Sequence, residues 1–331
     1  MERLLDVKNL RTSFFTPGGE VKAVNDVSFH VDSGEVVAIV GESGCGKSVT
    51  QMSVMQLVQS PPGRILGGQV LYNGTDLLTL PAKAMHDIRG KEIAMIFQEP
   101  MTSLNPVFKV GTQITEVIRT HMHCGKKEAW AVGTKALEEV GIPDPARRMH
   151  NYPFEMSGGM RQRVMIAIAV ACNAKLIIAD EPTTALDVTT QAQVMELLLS
   201  LVRKHHTSLI VVTHNLGLVT RYADRIYVMY AGRVVESGAT QQLLTTPRHP
   251  YTKGLLNSVP KLDEDRGVDL VPIRGAPPNL ARLGEECAFL PRCPYAKEGV
   301  CDRRPAPVLA NVGTDRQRTA CHLDEEVNAD A

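Results

Sequence analysis

The chain has 331 residues, more than most single domains contain, so we expect one main domain and a smaller appended one. Lysine plus arginine and aspartate plus glutamate number 36 each, and this balance lacks the positive field with which nucleic-acid-binding proteins collect phosphates. The longest apolar stretch, around residues 164–172, is far shorter than the ~20 residues of a membrane span, and the charged start MERLLDVKNL is unlike a secretion signal, so we expect a cytoplasmic protein.

Two strands are predicted at the start of the chain, where apolar residues alternate in LLDVKNLRTSFF and VKAVNDVSFHV. The turn residues Pro17, Gly18 and Gly19 separate them, which predicts an antiparallel start. The next segment, EVVAIV, is β-branched without polar alternation, as expected of a parallel strand buried on both faces. LIIAD and SLIVVTH have the same character, and the helical pattern AQVMELLLSLVRKHH lies between them. Alternating strands and helices indicate an α/β fold with a parallel sheet.

A helical insertion is predicted from about residue 102 to 160, where helix formers carry apolar residues at helical spacing. After about His249 the chain becomes rich in proline, turn residues and cysteine, which indicates a separate appended domain. We therefore predict a main domain at residues 1–248, with a helical subdomain at about 100–165, and a C-terminal extension at residues 249–331.

A phosphate-binding loop is predicted at residues 41–48, GESGCGKS, directly after a buried strand and before a helix-compatible segment. Its glycines let backbone N–H groups point at phosphate oxygens, and the following helix start adds positive potential. Lys47 is expected to reach the β- and γ-phosphates, and Ser48 to hold Mg²⁺. A glycine-rich turn with a surface lysine is the alternative, but every fixed position of the pattern is filled. The predicted ATP contacts here are Gly41, Glu42, Ser43, Gly44, Cys45, Gly46, Lys47, Ser48 and Val49.

Two acids, Asp180 and Glu181, end the apolar segment LIIADE. Burial of this strand would aim both carboxylates at the sheet edge that carries the phosphate loop. Asp180 fits an outer ligand of Mg²⁺, and Glu181 fits a general base that polarises the attacking water. A helix-capping pair before Pro182 is the alternative, and the accompanying phosphate loop makes it the weaker one.

With these motifs, the sequence SGGMRQR at residues 157–163 makes the chain resemble the nucleotide-binding subunits of ABC transporters. The resemblance implies a P-loop ABC ATPase core with an antiparallel β subdomain, a helical subdomain and, here, a small cysteine-containing C-terminal extension. At a helix start, Ser157 and the N–H groups of Gly158 and Gly159 form a second anion site suited to a γ-phosphate. In the family, that phosphate belongs to ATP on the opposite subunit. The other residues that the family implies in ATP binding are Gln162 and Asp187.

Further family positions occur in order along the chain. Gln98 in IFQEP resembles the Q-loop glutamine, which contacts Mg²⁺ and the attacking water and also faces the membrane subunits. His214 in VVTHNL resembles the switch histidine, which contacts the γ-phosphate and orients Glu181. Residues 185–187, Ala-Leu-Asp, resemble the D-loop that crosses the dimer interface. These resemblances imply that Gln98, Glu181 and His214 are catalytic.

The adenine contact is predicted from an aromatic residue. Phe14 stands where the family stacks a ring on adenine, with Phe15 as the adjacent rival. Departures from the family pattern are small: Asn215 follows the switch histidine where aspartate is commoner, and Cys45 takes a loop position often held by serine. Neither departure removes a catalytic group, so we expect an active site that hydrolyses ATP.

The tail, beginning with PRHPYTKGLL at residues 247–256, resembles the C-terminal extension of oligopeptide and dipeptide importer ATPases, which nickel importers share. Clustered cysteines there could hold zinc or an iron–sulfur cluster through thiolates. Their gaps are wider than those of zinc fingers, which favours a 4Fe-4S cluster. Reduced cysteines packed as small hydrophobes are the alternative. The four residues are Cys287, Cys293, Cys301 and Cys321.

The resemblance implies an ATPase, with ATP and Mg²⁺ as its cofactors, that powers the import of dipeptides or oligopeptides. Its implied partners are a second, non-identical ATPase subunit, two transmembrane permease subunits and an extracytoplasmic peptide-binding protein. Its implied place is the cytoplasmic face of the inner membrane, as a peripheral protein. There are two alternatives: a soluble ABC ATPase of translation or DNA repair, which usually fuses two cassettes or carries a coiled-coil insertion, and a module that binds ATP without hydrolysing it. Glu181 and His214 argue against the second.

Overall fold

The computed structural model describes residues 2–184, 187–258, 272–302, 305–312 and 317–328. The strands in chain order are β1 (Arg3–Thr16), β2 (Gly19–Asp32), β3 (Val36–Val40), β4 (Gly63–Tyr72), β5 (Thr75–Asp76), β6 (Ile93–Ile96), β7 (Leu176–Asp180), β8 (Ser208–Thr213), β9 (Arg225–Tyr230), β10 (Arg233–Ala239), β11 (Ala310–Asn311) and β12 (Arg318–Thr319). The helices are α1 (Lys47–Val54), α2 (Ala82–Ile88), α3 (Pro100–Ser103), α4 (Val110–Met122), α5 (Lys126–Glu139), α6 (Pro145–Arg148), α7 (Gly158–Val170), α8 (Val188–Lys204), α9 (Leu216–Val219), α10 (Thr240–Thr245), α11 (Pro250–Asn257) and α12 (Asp324–Val327).

The chain divides into two compact units. The first comprises Met1–Glu2, Asp32–Glu35 and Thr79–Val212. The second comprises Arg3–Val31, Val36–Leu78 and Thr213–Ala331. Both sides of the boundary predicted between residues 248 and 249 belong to the second unit, and that boundary stays a prediction. Across the part of the chain that the structure describes, every helix falls short of the length and apolar character needed to cross a membrane.

The first unit contains a parallel sheet in the order β6, β7, β8. Ile93 pairs with Leu176, which in turn pairs with Ser208. Every residue of β7 and β8 is buried, which explains why these segments show no polar alternation. Full burial of one valine or isoleucine side chain contributes about 1.5–3 kcal/mol, so these apolar runs hold the sheet firmly in place.

The first unit contains a helical subdomain, α3 to α7, and the predicted bounds of about 100–165 stay a prediction. Helices α4, α5 and α7 pack against one another. Val110, Ile114 and Ile118 of α4 are fully buried, and their spacing of four residues places them on one helix face. Trp130 of α5 packs on His150, with 4.9 Å between the ring centroids. The subdomain therefore has an apolar core of its own.

The second unit contains an antiparallel sheet in the order β2, β1, β4, β5. Strands β1 and β4 pair antiparallel, from Leu5 opposite Tyr72 to Phe14 opposite Gly63. The predicted antiparallel β subdomain is therefore confirmed. Its residues Leu5, Val27 and Val70 are fully buried, which gives the sheet an apolar face.

The same unit also contains β3, which pairs parallel with β9, while β10 pairs antiparallel with β9 and with β12. Strand β11 pairs antiparallel with β12. Glu236 of β10 lies opposite Thr319 of β12, so the C-terminal tail adds strands to the sheet of the main domain. The sequence did not predict β11 and β12, because strands of two residues are too short to show a hydrophobic period.

Candidate functional site

The predicted phosphate loop joins the buried strand β3 to helix α1 in the second unit. Gly41 has φ 156° and Gly46 has φ 101°. A Cβ at Gly41 would lie 2.2 Å from the carbonyl oxygen of Met229, and a Cβ at Gly46 would lie 2.1 Å from that of Ala23. Both positions are closer than any side chain tolerates, so the loop requires glycine at each of them.

Lys47, the first residue of α1, is buried with 4% of its surface exposed. Its ammonium group donates hydrogen bonds to the carbonyl oxygens of Gly41 at 2.8 Å and Glu42 at 3.0 Å. The loop therefore curls around its own lysine, which is the arrangement from which an ammonium group can bind phosphate oxygens. Burial raises the pKa of the Cys45 thiol, which favours a packing role over a reactive thiolate.

Of the predicted acid pair in the first unit, Asp180 is the last residue of β7 and Glu181 follows the strand. Asp180 and Glu181 are 5% and 8% exposed, and Glu181 has the left-handed φ of 44°. The side-chain amide of Gln98 donates to Oε2 of Glu181 at 3.0 Å. The hydroxyl of Thr184 donates to the same oxygen at 2.8 Å. Two donors therefore orient the carboxylate that the sequence predicts as the general base.

The structure thus brings Gln98 and Glu181 together, and their catalytic roles stay predictions. Thr184 is an additional site residue that the sequence analysis did not name. A threonine three residues after a strand-ending acid is a signal that could have found it, because a short hydroxyl side chain reaches back over a tight turn.

The predicted anion site lies at the start of α7. Ser157 is the N-cap of this helix, and its Oγ accepts a hydrogen bond from the N–H of Met160 at 3.3 Å. Ser157 and Gly158 are exposed, and Gly159 is half-buried. A 13-residue helix with this accessible start offers N–H groups and positive potential to an anion. Gln162 of the same helix is 1% exposed, and its contact with ATP stays a prediction.

The switch histidine and its successor follow β8. His214 is exposed. Asn215 caps α9, because its side-chain oxygen accepts from the N–H of Leu218 at 3.2 Å. Asparagine and aspartate are equally good N-caps, which explains physically why Asn215 can stand where the family usually has aspartate.

The D-loop prediction falls partly on residues 185 and 186, which lie outside the described residues. Asp187 begins α8 as its exposed N-cap. Its carboxylate accepts from the N–H of Thr190 at 3.0 Å and from the Thr190 hydroxyl at 2.7 Å. These hydrogen bonds lower the pKa of Asp187. Asp187 therefore caps its helix, and its proximity to ATP stays a prediction.

The two adenine candidates differ in their surroundings. Phe14 is half-buried on β1, whereas Phe15 is 44% exposed. The guanidinium of Arg64 lies 5.4 Å from the centre of the Phe15 ring. A cation over an aromatic ring is a favourable contact that competes with a stacked base for the same face. Phe14 therefore stays the predicted adenine contact.

Comparisons with known proteins identify the family. The sequence matches the family described as ABC transporter over residues 24–184, and the oligopeptide/dipeptide transporter C-terminal region over residues 235–301. It is 52% identical to the oligopeptide transport ATP-binding protein OppD of Bacillus subtilis, covering 92% of this chain and 85% of that protein. The chain belongs to the ATP-binding subunits of ABC transporters. The dipeptide transport ATP-binding protein DppD of the same organism is 50% identical, with 92% of this chain and 90% of that protein covered.

A solved structure supports the fold of this ABC subunit. The dimeric, post-hydrolysis ATP-binding cassette MJ0796 bound to ADP and Pi superposes with a TM-score of 0.64 at 26% identity, covering 71% of this chain and 98% of that one. The predictions of a P-loop ABC ATPase fold and of ATP hydrolysis are therefore confirmed.

A contact that the sequence did not predict joins the tail of the ABC subunit to its phosphate loop. The guanidinium of Arg292 donates to both carboxylate oxygens of Glu42, at 2.6 and 2.9 Å. The N–H of Glu42 donates to the hydroxyl of Tyr251 at 2.9 Å. The hydrogen bonds with Glu42 raise the pKa of Arg292 further above its ordinary value, so the guanidinium is charged at every relevant pH. Because Arg292 and Glu42 are 250 residues apart, no local sequence pattern indicates this pair.

The tail cysteines of the subunit surround one cavity. Cys287, Cys293, Cys301 and Cys321 all line it, and its volume is about 20 Å³. Burial raises the pKa of Cys287 and Cys293, and raises that of Cys321 to about 12. Four thiols are the donors that zinc or an iron–sulfur cluster requires. As they are arranged, however, no group of three or more His, Cys, Asp or Glu side chains within the described ranges forms a metal-binding set.

Proposed function

We propose that this ABC subunit hydrolyses ATP to power the import of short peptides across the cytoplasmic membrane. The observation that carries the hydrolytic part is the carboxylate of Glu181, which Gln98 and Thr184 orient through one oxygen. Support for the cargo class comes from the tail, which matches the oligopeptide/dipeptide transporter C-terminal region, and from relatives named for oligopeptide and dipeptide transport.

For nucleotide binding, we assign the phosphates to the backbone N–H groups of residues 41–48. Lys47 exchanges the carbonyl oxygens of Gly41 and Glu42 for the β- and γ-phosphate oxygens. We assign Mg²⁺ coordination to the hydroxyl of Ser48 and to the side-chain oxygens of Asp180 and Gln98, the positions that the family resemblance implies. Mg²⁺ held by these residues would neutralise charge that develops on the phosphates. Phe14 stacks on adenine.

For the chemical step, Glu181 acts as the base towards the attacking water. Its carboxylate polarises the water, whose oxygen forms a bond to the γ-phosphorus as the bond to the bridging oxygen of ADP breaks. The water proton passes to the carboxylate and then to the released phosphate. Gln98 and Thr184 keep the carboxylate oriented, and His214 contacts the γ-phosphate. The products are ADP and inorganic phosphate.

Each half-site is completed by a second ATPase subunit. The exposed start of α7, with Ser157, Gly158 and Gly159, suits the γ-phosphate of ATP held by the partner. Asp187 lies in the segment assigned to the dimer interface. Closure around two ATP molecules and reopening after hydrolysis drive the permeases between inward- and outward-facing states. We assign to the complex a second, non-identical ATPase, two permease subunits and an extracytoplasmic peptide-binding protein, with this chain peripheral on the cytoplasmic face of the inner membrane.

The cargo assignment is tested with the assembled transporter in proteoliposomes. Short peptides delivered by the binding protein are expected to raise ATP hydrolysis several-fold, because cargo binding favours the closed dimer. The peptide panel should cover dipeptides to pentapeptides, with chelated Ni²⁺ as the comparison because nickel importers share this type of tail. Stimulation by nickel and not by any peptide would contradict the assignment.

We further propose that the four tail cysteines hold a 4Fe-4S cluster, with zinc as the less favoured metal. The support is the cavity that all four cysteines line and their wide spacing in sequence. Such a cluster would fix the tail through four thiolate bonds, and the thiols would lose their protons on binding.

The cluster proposal predicts that the full-length chain, purified without oxygen, absorbs in the visible range and contains about four iron atoms and four sulfides. Cys293→Ser should lose both signals. Cys124→Ser is the matched control, because this cysteine lies outside the tail. A wild-type chain that folds without any metal would contradict the proposal. If the chain contains zinc and no iron, the four cysteines form a zinc site and the cluster assignment is wrong.

A further inference from the structure

The ion pair between Arg292 and Glu42 joins the C-terminal extension to the phosphate loop. Arg292 is 8% exposed, and its two terminal nitrogens meet the two oxygens of Glu42. A bidentate arginine–carboxylate pair is among the stronger side-chain interactions and fixes the orientation of both groups. The pair is therefore a defined structural link between the extension and the loop.

Arg292 makes further contacts on both sides of its guanidinium. Its Nε donates to the carbonyl oxygen of Arg274 at 2.9 Å, and Nη2 lies 3.4 Å from that of Gly275. Nη1 also lies 3.4 Å from the hydroxyl of Tyr230, whose ring centre is 5.8 Å from the guanidinium carbon. These contacts position the guanidinium independently of its ion pair with Glu42.

A second contact holds the backbone of the same loop residue. The hydroxyl of Tyr251 accepts the N–H of Glu42. Tyr251 is fully buried, and its ring packs on Tyr230 and Phe289, with centroid separations of 4.6 and 5.5 Å. Arg292 therefore binds the side chain of Glu42, and Tyr251 binds its backbone N–H. Both partners belong to the predicted C-terminal extension.

The contacts of Arg292 and Tyr251 with Glu42 affect nucleotide binding in two ways. The carbonyl oxygen of Glu42 accepts a hydrogen bond from Lys47, so Glu42 helps to define where the lysine ammonium lies. In addition, Glu42 places a carboxylate within an anion-binding loop. An unpaired negative charge there would repel the triphosphate, and Arg292 neutralises it.

We propose that Arg292 is a positioning residue of the ATP site: by neutralising Glu42 and fixing the first turn of the phosphate loop, it lets the C-terminal extension set the affinity for ATP. The inference rests on the proposed role of this loop in ATP binding. It assigns the extension a direct effect on the motor.

The test is a double-mutant cycle on the full-length chain, with Kd for ATP measured by calorimetry. Arg292→Ala should weaken ATP binding about tenfold, because Glu42 then faces the phosphates unpaired. The double variant Arg292→Ala with Glu42→Gln should recover to within about threefold of wild type, because the repelling charge is gone. Arg292→Lys, which keeps a positive charge but loses the bidentate contact, should weaken ATP binding less than Arg292→Ala does.

Arg318→Ala is the control for general weakening of the tail, because Arg318 donates to the carbonyl oxygen of Leu309 and not to the loop. Its Kd for ATP should equal that of wild type, and thermal melting should confirm that all variants fold. Arg292→Gln serves as the neutral variant if the alanine variant does not fold. In the assembled transporter, Arg292→Ala should raise KM for ATP and leave kcat within about twofold, since Glu181 is untouched.

An unchanged Kd in Arg292→Ala would overturn the inference, and so would a weakened Kd that Glu42→Gln fails to restore. Lys47→Ala separates this result from failure of the proposed function. If Lys47→Ala loses ATP binding while Arg292→Ala does not, only the positioning role is wrong. If Lys47→Ala still binds ATP as wild type does, the assignment of the loop itself is wrong.

Discussion

Replacing Glu181 with glutamine is expected to lower the rate of ATP hydrolysis about 10²- to 10⁴-fold, the contribution that general acid–base catalysis usually makes. Glutamine keeps the size of the side chain and an oxygen that can accept from Gln98 and Thr184, whose hydrogen bonds hold Oε2 at 3.0 and 2.8 Å. The ability to take a proton is lost, together with the negative charge of the carboxylate. Affinity for ATP should therefore remain, and the ATP-bound dimer should accumulate because reopening requires hydrolysis.

The measurement is phosphate release by the assembled transporter, alongside ATP affinity and chromatographic size. Glu196→Gln on α8 is the matched control, because this glutamate is exposed and should leave the rate unchanged. Hydrolysis at the wild-type rate in Glu181→Gln would refute the assignment of the base.

Gly46→Ala is expected to weaken ATP binding at least about 30-fold, which corresponds to about 2 kcal/mol of backbone strain and displacement. The new Cβ would lie 2.1 Å from the carbonyl oxygen of Ala23, and the residue would have to keep φ 101°. Because backbone cannot yield as a flexible side chain does, the loop itself must shift. The N–H groups that bind phosphate would then no longer converge.

Gly74→Ala is the control for this prediction. Gly74 also has a left-handed φ, of 78°, but no atom lies within 4 Å of its added Cβ. Calorimetric titration with ATP should therefore find near wild-type affinity for Gly74→Ala and a large loss for Gly46→Ala. Equal affinities in the two variants would show that the close approach to Ala23 does not govern the loop.

Most of the fold could be predicted because its signals are local. The phosphate loop lies between a fully buried strand and a helix, and residues 41–48 show this in eight consecutive positions. The acids of LIIADE follow an apolar run that needs two covered faces, and β7 indeed has them. Ser157 stands before a helix whose first turn it caps. In each case the chemistry and the secondary structure are set by the same few residues.

The remaining site residues depend on contacts that no short pattern contains. Arg292 and Glu42 meet across 250 residues, and nothing around Arg292 distinguishes it from a solvent-exposed arginine until the fold buries it. Thr184 is visible only once the turn after Glu181 brings its hydroxyl back to the carboxylate. The tail strands β11 and β12 are defined by the neighbouring strands against which they pair, and not by their own composition.

The pairing of β12 with β10 means that the cassette cannot be shortened at residue 248 without damage. Glu236 of β10 is fully buried, and its carboxylate accepts hydrogen bonds from the N–H groups of Arg248 and His249 and from the side chain of Gln317. Truncation after residue 248 would remove the donors His249 and Gln317. It would also expose the edge of β10 that pairs with β12, and exposed strand edges are prone to aggregation. Minimal ATPase fragments of this protein should therefore keep residues through Thr319.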